Sequence, residues 1–475
     1  MKIVIVGGGT AGWLAAYCLC KSQPGQHTIT IIESLAIGII GAGEGTVGSM
    51  HDLIHGDLFP VKINEQDFIN KTDATNKMGI YHRFWGKGKH EYFAPLAGGP
   101  TAKSNCDFVF KYAFQKYGYN KFHLAAQEGL HFEEKQYDEF RAYHFDGHKV
   151  GQYFKELCLK DNVEVIDSIV KKVNLNEHGH ITSLTLEEGY TVVGDFFFDC
   201  TGFKRVLMEA VGSKWISYKK YLPVDTAMPF IIKHKEGDSP LPMTTATALS
   251  SGWMWDIPLQ TRRGCGYVFD SNFISKENAH REIEEFLKVE IEPIKFIDFT
   301  SGRGSDFWKN NVISLGLSSC FVEPLEATSI HSTIAQTMIF IDQFLSSNLK
   351  NTITKENEIL YNKHVSSIYE SIFNFISLHY QGGRDDSEFW RYIKHDNVIT
   401  DRTRLLLEKS KNKILSAWMF DNTSRYAPDA SLWNWILAGL RFISPEQAGQ
   451  ELIEAGQFEQ AERYWTQYIK SMLVR

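Results

Sequence analysis

The sequence has few of the features that mark secreted, membrane or zinc-binding proteins. Its seven cysteines are scattered over 475 residues and none forms a Cys-x-x-Cys pair, a pattern that argues against a disulfide framework or a structural zinc site. No stretch reaches the roughly 18 apolar residues that span a bilayer. The first strand-like segment begins at Lys2, with no basic leader before it. We therefore expect a cytoplasmic protein with no membrane partner.

The sequence also lacks runs of basic residues. Lysine and arginine number 50 against 57 acidic residues, which gives a formal net charge of −7. Nucleic-acid-binding surfaces are basic, so nucleic acid is not an expected partner. Aromatic residues are abundant at 13%, within an otherwise ordinary globular composition. The length is sufficient for two or three domains.

A glycine-rich turn near the N-terminus is the first feature that points to a ligand. Gly7, Gly9 and Gly12 follow an apolar strand at 2–6 and precede a helical segment from about 13 to 20. These glycines allow a tight turn, close approach of the backbone to pyrophosphate, and close helix–strand packing. Glu33 ends the next predicted strand, where an acid can accept hydrogen bonds from a ribose. We therefore predict a dinucleotide site.

Two later segments add to this interpretation. Gly194-Asp195 and Asp199-Cys200-Thr201-Gly202 resemble the second fingerprint of FAD-binding monooxygenase-like folds, in which a late strand returns to the cofactor. FAD is therefore favoured over NAD, although a strand-end cap is an alternative role for Asp199. The apolar residues 312–317 predict a further buried strand.

Two tryptophans one residue apart stand out in Gly252-Trp253-Met254-Trp255-Asp256-Ile257-Pro258. Side chains alternate along a strand, so both indoles extend from the same face. Large aromatic residues are also common in protein cores. The local pattern alone is equally compatible with a core strand and with a wall beside a ligand.

Two more segments complete a family pattern: 74–80, which contains Lys77, and 321–331, which contains Glu326. With the glycine turn and the tryptophan pair, they resemble the flavin-dependent tryptophan halogenase family over residues 1 to about 440. The resemblance implies an α/β fold with three regions. These are a Rossmann-like, monooxygenase-type FAD-binding domain (1–215 and 300–350), a β-rich, mixed-sheet substrate-side region (216–299) and a mainly helical C-terminal region (351–475).

The resemblance also implies a reaction. Reduced FAD (FADH2), supplied by a separate flavin reductase, and oxygen would convert chloride, bromide or iodide into hypohalous acid. Lys77 would pass this oxidant to an electron-rich, indole-like aromatic substrate, and Glu326 would polarise it or accept the ring proton. Thr328 and Ser329 would hold the halide at a helix start. Trp253 and Trp255 would separate flavin from substrate.

Further flavin contacts are implied by the same resemblance. The segment 41–46 resembles the second flavin loop of the family, and Leu317, Ile330 and Ile169 match flavin-contacting positions. The complete set of expected cofactor residues is Gly7, Gly9, Thr10, Ala11, Gly12, Glu33, Glu44, Gly45, Ile169, Asp199, Gly202, Leu317 and Ile330.

Each assignment has a plainer alternative. Lys77 could be a surface lysine, and Glu326 an acid that stabilises a helix N-terminus. The whole chain could be a flavin monooxygenase that hydroxylates an aromatic, or a flavin-fold binding protein without catalysis. The sequence is also compatible with a homodimer.

The sequence departs from the family pattern at several places, among them Ser329 in place of a glycine and Gly45 in place of the usual alanine. Ala327 stands where many members have serine, which removes a hydroxyl beside Glu326. The segment 431–440 lacks the aromatic clamp of free-tryptophan halogenases, so an indole or another electron-rich aromatic is the expected substrate. Core packing is the favoured role for Tyr92, Phe93 and Trp433.

Overall fold

The computed structural model describes residues 1–37, 41, 43–96, 107–128, 142–235, 237–346, 348–396, 398–420 and 424–473. The chain divides into two compact units. The first comprises 1–74, 144–219 and 300–370, and the second comprises 75–143, 220–299 and 371–475. Each unit is therefore built from three separated stretches of sequence. The assignment of three functional regions stays a prediction.

The strands of the described chain are β1 (Lys2–Val6), β2 (Thr28–Glu33), β3 (Glu44–Gly45), β4 (Thr75–Lys77), β5 (Gly79–Arg83), β6 (Glu91–Pro95), β7 (Ala142–Phe145), β8 (Glu164–Asp167), β9 (Val170–Leu175), β10 (Ile181–Leu186), β11 (Thr191–Val193), β12 (Phe196–Asp199), β13 (Trp215–Ser217), β14 (Thr226–Lys233), β15 (Met243–Ala248), β16 (Gly252–Pro258), β17 (Arg262–Phe269), β18 (Ile297–Asp298), β19 (Gly302–Gly304), β20 (Trp308–Lys309), β21 (Val312–Ser314) and β22 (Cys320–Phe321).

The helices are α1 (Thr10–Ser22), α2 (Gly48–His55), α3 (Glu65–Thr72), α4 (Asp107–Glu128), α5 (Gly147–Leu159), α6 (Val206–Ala210), α7 (Lys276–Leu287), α8 (Thr328–Gln343), α9 (Leu349–Thr352), α10 (Lys355–His379), α11 (Glu388–His395), α12 (Asp401–Ser410), α13 (Ala430–Gly439), α14 (Pro445–Glu454) and α15 (Phe458–Leu473). None of them, within the described residues, combines the length and apolarity needed to cross a lipid bilayer.

A six-stranded sheet forms the centre of the first unit, in the order β20-β21-β12-β1-β2-β8. The five strands from β21 to β8 are parallel, and β20 is antiparallel to its neighbour. The small sheet β11-β10-β9 packs on one face through Leu184, which joins a core containing Val4 and Phe197. On the other face, Phe340 of α8 stacks on Phe196. A parallel sheet covered on both faces confirms the predicted Rossmann-like α/β fold.

A seven-stranded, largely antiparallel sheet forms the centre of the second unit, in the order β18-β14-β17-β16-β15-β5-β6. Met254 and Tyr267 extend from one face and pack with Ile283 of α7. Trp253 and Trp255 extend from the opposite face, because neighbouring residues of a strand alternate in direction.

Candidate functional site

The predicted phosphate-binding turn joins β1 to α1, and two of its glycines are tightly enclosed. A Cβ atom on Gly7, whose φ is +113°, would lie 2.2 Å from the Cys200 carbonyl oxygen. One on Gly12 would lie 2.0 Å from the Gly7 carbonyl oxygen. Gly9 differs, because a Cβ there would meet no heavy atom of the described residues within 4 Å apart from its immediate neighbours. Open space therefore lies at the glycine that the pattern assigns to pyrophosphate, beside a helix N-terminus.

Glu33 ends β2, and its carboxylate is fixed by contacts within the first unit. The indole nitrogen of Trp13 donates to one carboxylate oxygen at 3.2 Å, and Lys155 forms an ion pair with the other. The side chain lies across Gly8, where a Cβ would come within 2.0 Å of a carboxylate oxygen. Only 9% of Glu33 is exposed. The predicted ribose acceptor therefore lies against the glycine turn in one defined orientation.

The predicted second flavin loop is partly described. Ala42 lies outside the described residues, whereas Glu44 and Gly45 form β3 and pair with Phe145 and His144 of β7. This pairing brings the loop to the start of α5.

Glu44 and the glycine turn both contact the first residue of α5. A Cβ on Gly147 would lie 3.1 Å from the Glu44 Cγ, and the Thr10 hydroxyl donates to the Gly147 carbonyl at 3.1 Å. Burial, and the negative charge of Asp146, raise the pKa of Glu44 to about 7. This carboxyl group can therefore hold a proton close to neutral pH, when it becomes a hydrogen-bond donor.

Asp199 ends β12, and its buried carboxylate caps the short helix α6. It accepts hydrogen bonds from the backbone N–H groups of Leu207 and Met208 at 2.8 and 2.9 Å. The backbone and hydroxyl of Thr201 donate to it at 3.0 and 2.7 Å. The capping role that the sequence left open is thus present, and contact of Asp199 with a cofactor stays a prediction.

A 3-10 turn at Gly316–Ser318 brings Leu317 beside two other predicted flavin positions. A Cβ on Gly316 would lie 2.9 Å from the Ala11 Cβ, and the Ser318 hydroxyl donates to the Gly202 carbonyl at 3.0 Å. Leu317, Ala11 and Gly202 therefore belong to one cluster at the carboxyl ends of the parallel strands.

Ile169 and Ile330 lie in elements that contact the same region. Ile169 follows Ser168, whose backbone N–H donates to the Glu33 carbonyl at 2.8 Å. Ile330 is buried in the first turn of α8, which packs against α1. The two residues are therefore compatible with their predicted positions around a flavin.

Glu326 lies in a tight turn immediately before α8. The backbone N–H of Ala327 donates to the Pro324 carbonyl at 3.0 Å, which closes the turn. Ala327 has a φ of +54°, a left-handed conformation that costs an L-residue roughly 1–2 kcal/mol. Thr328 and Ser329 begin the helix, where N–H groups lack acceptors within the helix. This helix start has the polarity that favours an anion.

Lys77 is fully buried at the end of β4 in the second unit, with 0% of its surface exposed. Fully buried lysines are rare because it is costly to remove an ammonium group from water. The Thr75 hydroxyl donates to the Pro258 carbonyl at 2.6 Å, and the Met78 N–H donates to the Pro242 carbonyl at 2.7 Å. The segment that carries Lys77 is therefore hydrogen-bonded to the end of β16, the strand that contains Trp253 and Trp255 and is called the tryptophan strand below. Lys77 itself is buried in the interior.

Trp253 and Trp255 have ring centroids 6.3 Å apart on one face of β16. Gly266 of β17 provides room for them, because a Cβ there would lie 2.1 Å from the six-membered ring of Trp255. Trp253 is 1% exposed, and its indole nitrogen has no hydrogen-bond acceptor among the described residues. The pair therefore forms an aromatic surface whose one buried N–H is available to a small acceptor.

A second aromatic layer lies against Trp253. The Trp85 ring centroid is 6.2 Å from that of Trp253 and 6.1 Å from that of His379. His82, which shares the sheet face of Trp255, stacks on Tyr92 at 4.7 Å. Aromatic side chains from two other parts of the second unit therefore pack beside the tryptophan strand.

The side chains for which core packing was favoured are buried. Tyr92, Phe93 and Trp433 are each no more than 2% exposed. A Cβ on Gly439 of α13 would lie 2.3 Å from the Tyr92 ring. Tyr92 is therefore enclosed by α13 as well as by His82.

The sequence did not reveal Lys155, Gly266 or Trp85. Lys155 belongs to an ordinary amphipathic helix, and its contact with Glu33 crosses 122 residues of sequence. Gly266 did carry a signal, because a glycine inside a strand often marks close approach of another group. Trp85 follows its strand by two residues and had no partner recognisable from spacing.

Known proteins resemble this chain over most of its length. The sequence matches the tryptophan halogenase family across residues 2–455. It is 32% identical over 432 residues to the tryptophan 6-halogenase SttH of Streptomyces toxytricini, which covers 83% of this chain and 80% of that protein. It is 31% identical over 431 residues to the 7-chloro-L-tryptophan 6-halogenase KtzR of Kutzneria sp. strain 744, with 82% and 81% covered. The crystal structure of a tryptophan halogenase from Shewanella frigidimarina matches with a TM-score of 0.83 and 26% identity, over 97% of this chain and 94% of that one.

Proposed function

Since the chain belongs to the tryptophan halogenase family and is a flavin-dependent halogenase, we propose that it uses reduced FAD, oxygen and a halide ion to halogenate an electron-rich, indole-like aromatic compound. The family and enzyme class predicted from the sequence are confirmed. The observation that carries the proposal is the burial of Lys77 on a segment fixed to the tryptophan strand. Burial of an ammonium group is costly and therefore rare, and Lys77 is the lysine to which the family resemblance assigns the transfer of the oxidant.

The first unit fits FAD. Gly9 leaves open space at the start of α1, whereas Gly7 and Gly12 are enclosed, and Glu33 is held against the same turn. Bound reduced FAD would supply the two electrons with which oxygen becomes the oxidant that converts halide into hypohalous acid. A separate flavin reductase would supply the reduced cofactor. The thirteen cofactor residues predicted from the sequence stay our assignment for this site.

Lys77 would guide the oxidant to the substrate. Its ammonium group can hydrogen-bond hypohalous acid, or its neutral amine can take the halogen from hypohalous acid as a haloamine, with release of water. Glu326 would polarise the oxidant or accept the proton released by the substituted ring. Thr328 and Ser329 would bind the halide through backbone N–H groups at the start of α8.

Trp253 and Trp255 would act as the barrier between flavin and substrate. The burial of Trp253 and the room that Gly266 provides for Trp255 support a fixed wall, since close-packed rings do not move independently. A small halogenating species can pass such a wall, whereas an aromatic substrate cannot stack on the flavin. The enzyme would then halogenate in preference to hydroxylating.

The proposed test compares Lys77→Ala with the wild type in the presence of FAD, a flavin reductase, oxygen and each halide. Indoles, free tryptophan and phenols form the substrate panel, and mass spectrometry identifies the products. We expect halogenated product from the wild type and at least a 100-fold loss in Lys77→Ala, with flavin reoxidation unchanged. Lys87→Ala removes an exposed lysine of the same unit and should leave the yield unchanged.

Two outcomes would contradict the proposal. Halogenation by Lys77→Ala at the wild-type rate would remove Lys77 from the reaction. A halide-independent, oxygenated product from the wild type would instead indicate a monooxygenase.

A further inference from the structure

Lys155 is a charged residue of the first unit that the dinucleotide pattern does not include. It extends from α5, and its side chain is 23% exposed. Its ammonium group pairs with Glu33 and lies 5.6 Å from the centre of the Trp13 ring. A half-buried ion pair that also contacts an aromatic face is far better defined than an ordinary surface pair.

The three side chains meet on the glycine turn. Trp13 belongs to the first helical turn after Gly12, and Glu33 lies across Gly8. Lys155 and the Trp13 indole donate to different carboxylate oxygens of Glu33. A carboxylate offers about four acceptor positions. Among the described residues the other positions have no donor, so about two are available, which is the number that the two hydroxyls of a ribose require.

We propose that Lys155 is a positioning residue for the adenosine half of FAD, and that it sets the preference of this protein for FAD over flavin mononucleotide (FMN). It holds the Glu33 carboxylate in the orientation that accepts the ribose hydroxyls. This inference rests on the proposed use of FAD.

The positive charge of Lys155 should also favour the binding of FAD. FAD carries a pyrophosphate with two negative charges, and the glycine turn would place it near Glu33. A buried carboxylate without a counter-ion would repel that group in a medium of low dielectric constant. The ammonium group of Lys155 compensates the charge of Glu33 while it leaves acceptor positions for the ribose.

Binding of the two oxidised flavins tests this role without turnover. Flavin fluorescence would give the dissociation constants of FAD and FMN for the wild type, Lys155→Met and Lys155→Arg. Loss of a hydrogen bond to a charged group corresponds to a change of about 10- to 100-fold. We expect Lys155→Met to weaken FAD binding by about that factor and FMN binding much less, because FMN carries a phosphate but no adenosine ribose for Glu33 to bind. Lys155→Arg should restore most of the affinity for FAD.

Further variants separate positioning from a loss of folding. Lys160→Met removes an exposed lysine just after α5 and should change neither constant. Trp13→Phe keeps a ring but removes the indole donor, so it should weaken FAD binding several-fold and spare FMN. In a Glu33→Gln background, Lys155→Met should add little, because the residue through which it acts has lost its charge.

The outcomes also separate this inference from the proposed function. A wild-type protein that binds neither flavin would contradict the use of FAD itself. Equal changes for FAD and FMN in a folded Lys155→Met variant, or no change in either, would overturn the role of Lys155 alone.

Discussion

Ala327 adopts its left-handed conformation at the residue that separates Glu326 from the start of α8. The conformation costs alanine roughly 1–2 kcal/mol, whereas glycine adopts it freely. We expect Ala327→Gly to raise the free energy of unfolding by about 0.5–1 kcal/mol, after the greater freedom of glycine in the unfolded chain is subtracted. Urea unfolding measures this change.

Ala335→Gly is the matched control for that prediction. The same substitution falls inside α8, at a residue with ordinary helical geometry and 1% exposure. It should lower the free energy of unfolding by about 1 kcal/mol, because glycine is a poor helix former. If both variants were destabilised equally, the left-handed conformation of Ala327 would not carry the cost assigned to it.

Glu44 gives the first unit a predictable dependence of stability on pH. Its pKa is raised from 4.5 to about 7 in the folded protein by burial and by Asp146. Between these values the folded protein binds a proton that the unfolded chain has released, so stability falls as pH rises from about 4.5 to 7 and levels off above. Across this pH window the free energy of unfolding of the flavin-free wild type should fall by at most about 3 kcal/mol more than that of Glu44→Gln.

Urea unfolding at pH 5 and pH 7.5 measures that difference. Glu177→Gln, at an acid whose side chain is 84% exposed, serves as the control and should follow the wild type. A constant difference between wild type and Glu44→Gln at the two pH values would show that the pKa of Glu44 is not raised.

Strand β17 makes the packing of the tryptophan pair sterically possible, because Gly266 lies under the Trp255 ring. In Gly266→Ala the new methyl group would need the space of that ring, so Trp255 must move. Overpacking of this kind costs about 1–3 kcal/mol. We expect loss of stability, a changed near-ultraviolet circular dichroism spectrum, and a smaller fraction of consumed oxygen recovered as halogenated product.

The double variant Trp255→Phe/Gly266→Ala tests the cause. Phenylalanine lacks the indole atoms nearest to Gly266, so the alanine should cost much less in that background. Additive effects of the two substitutions would show that the glycine is needed for another reason.

Comparison of elements shows where sequence reasoning succeeds. The glycine turn and Glu33 have fixed spacing and fixed neighbouring elements, so the start of the FAD-binding fold was predictable. The strand expected at 312–317 ends earlier, at Ser314, because Gly316 has a φ of +59° and begins a 3-10 turn. That turn is what places Leu317 beside α1.

The residues that sequence reasoning missed share a physical cause. Lys155 acts on Glu33 from α5, and Gly266 acts on Trp255 from a neighbouring strand. Both effects arise only when distant segments pack, and neither residue type is unusual in its own element. Local pattern therefore predicts the groups that we propose for the chemistry, and it misses the residues that contact them from other elements.

At the scale of the whole molecule, the expected cofactor residues all belong to the first unit, whereas Lys77 and the tryptophan pair belong to the second. A ligand that binds only the native state stabilises it by about 2.7 kcal/mol at a concentration 100 times its dissociation constant. The amide groups of the first unit that contact FAD should therefore exchange hydrogen more slowly when FAD is present.

Hydrogen exchange followed by mass spectrometry measures this protection by segment. We expect the largest gain in residues 2–33, which contain the glycine turn, Trp13 and Glu33, and in residues 196–210 around Asp199 and Gly202. Helix α14, in the second unit and without predicted flavin contacts, is the internal reference. No gain in residues 2–33 at saturating FAD would contradict the placement of the cofactor. The pattern in Lys155→Met would show whether the Glu33 segment alone loses protection, as the positioning role requires.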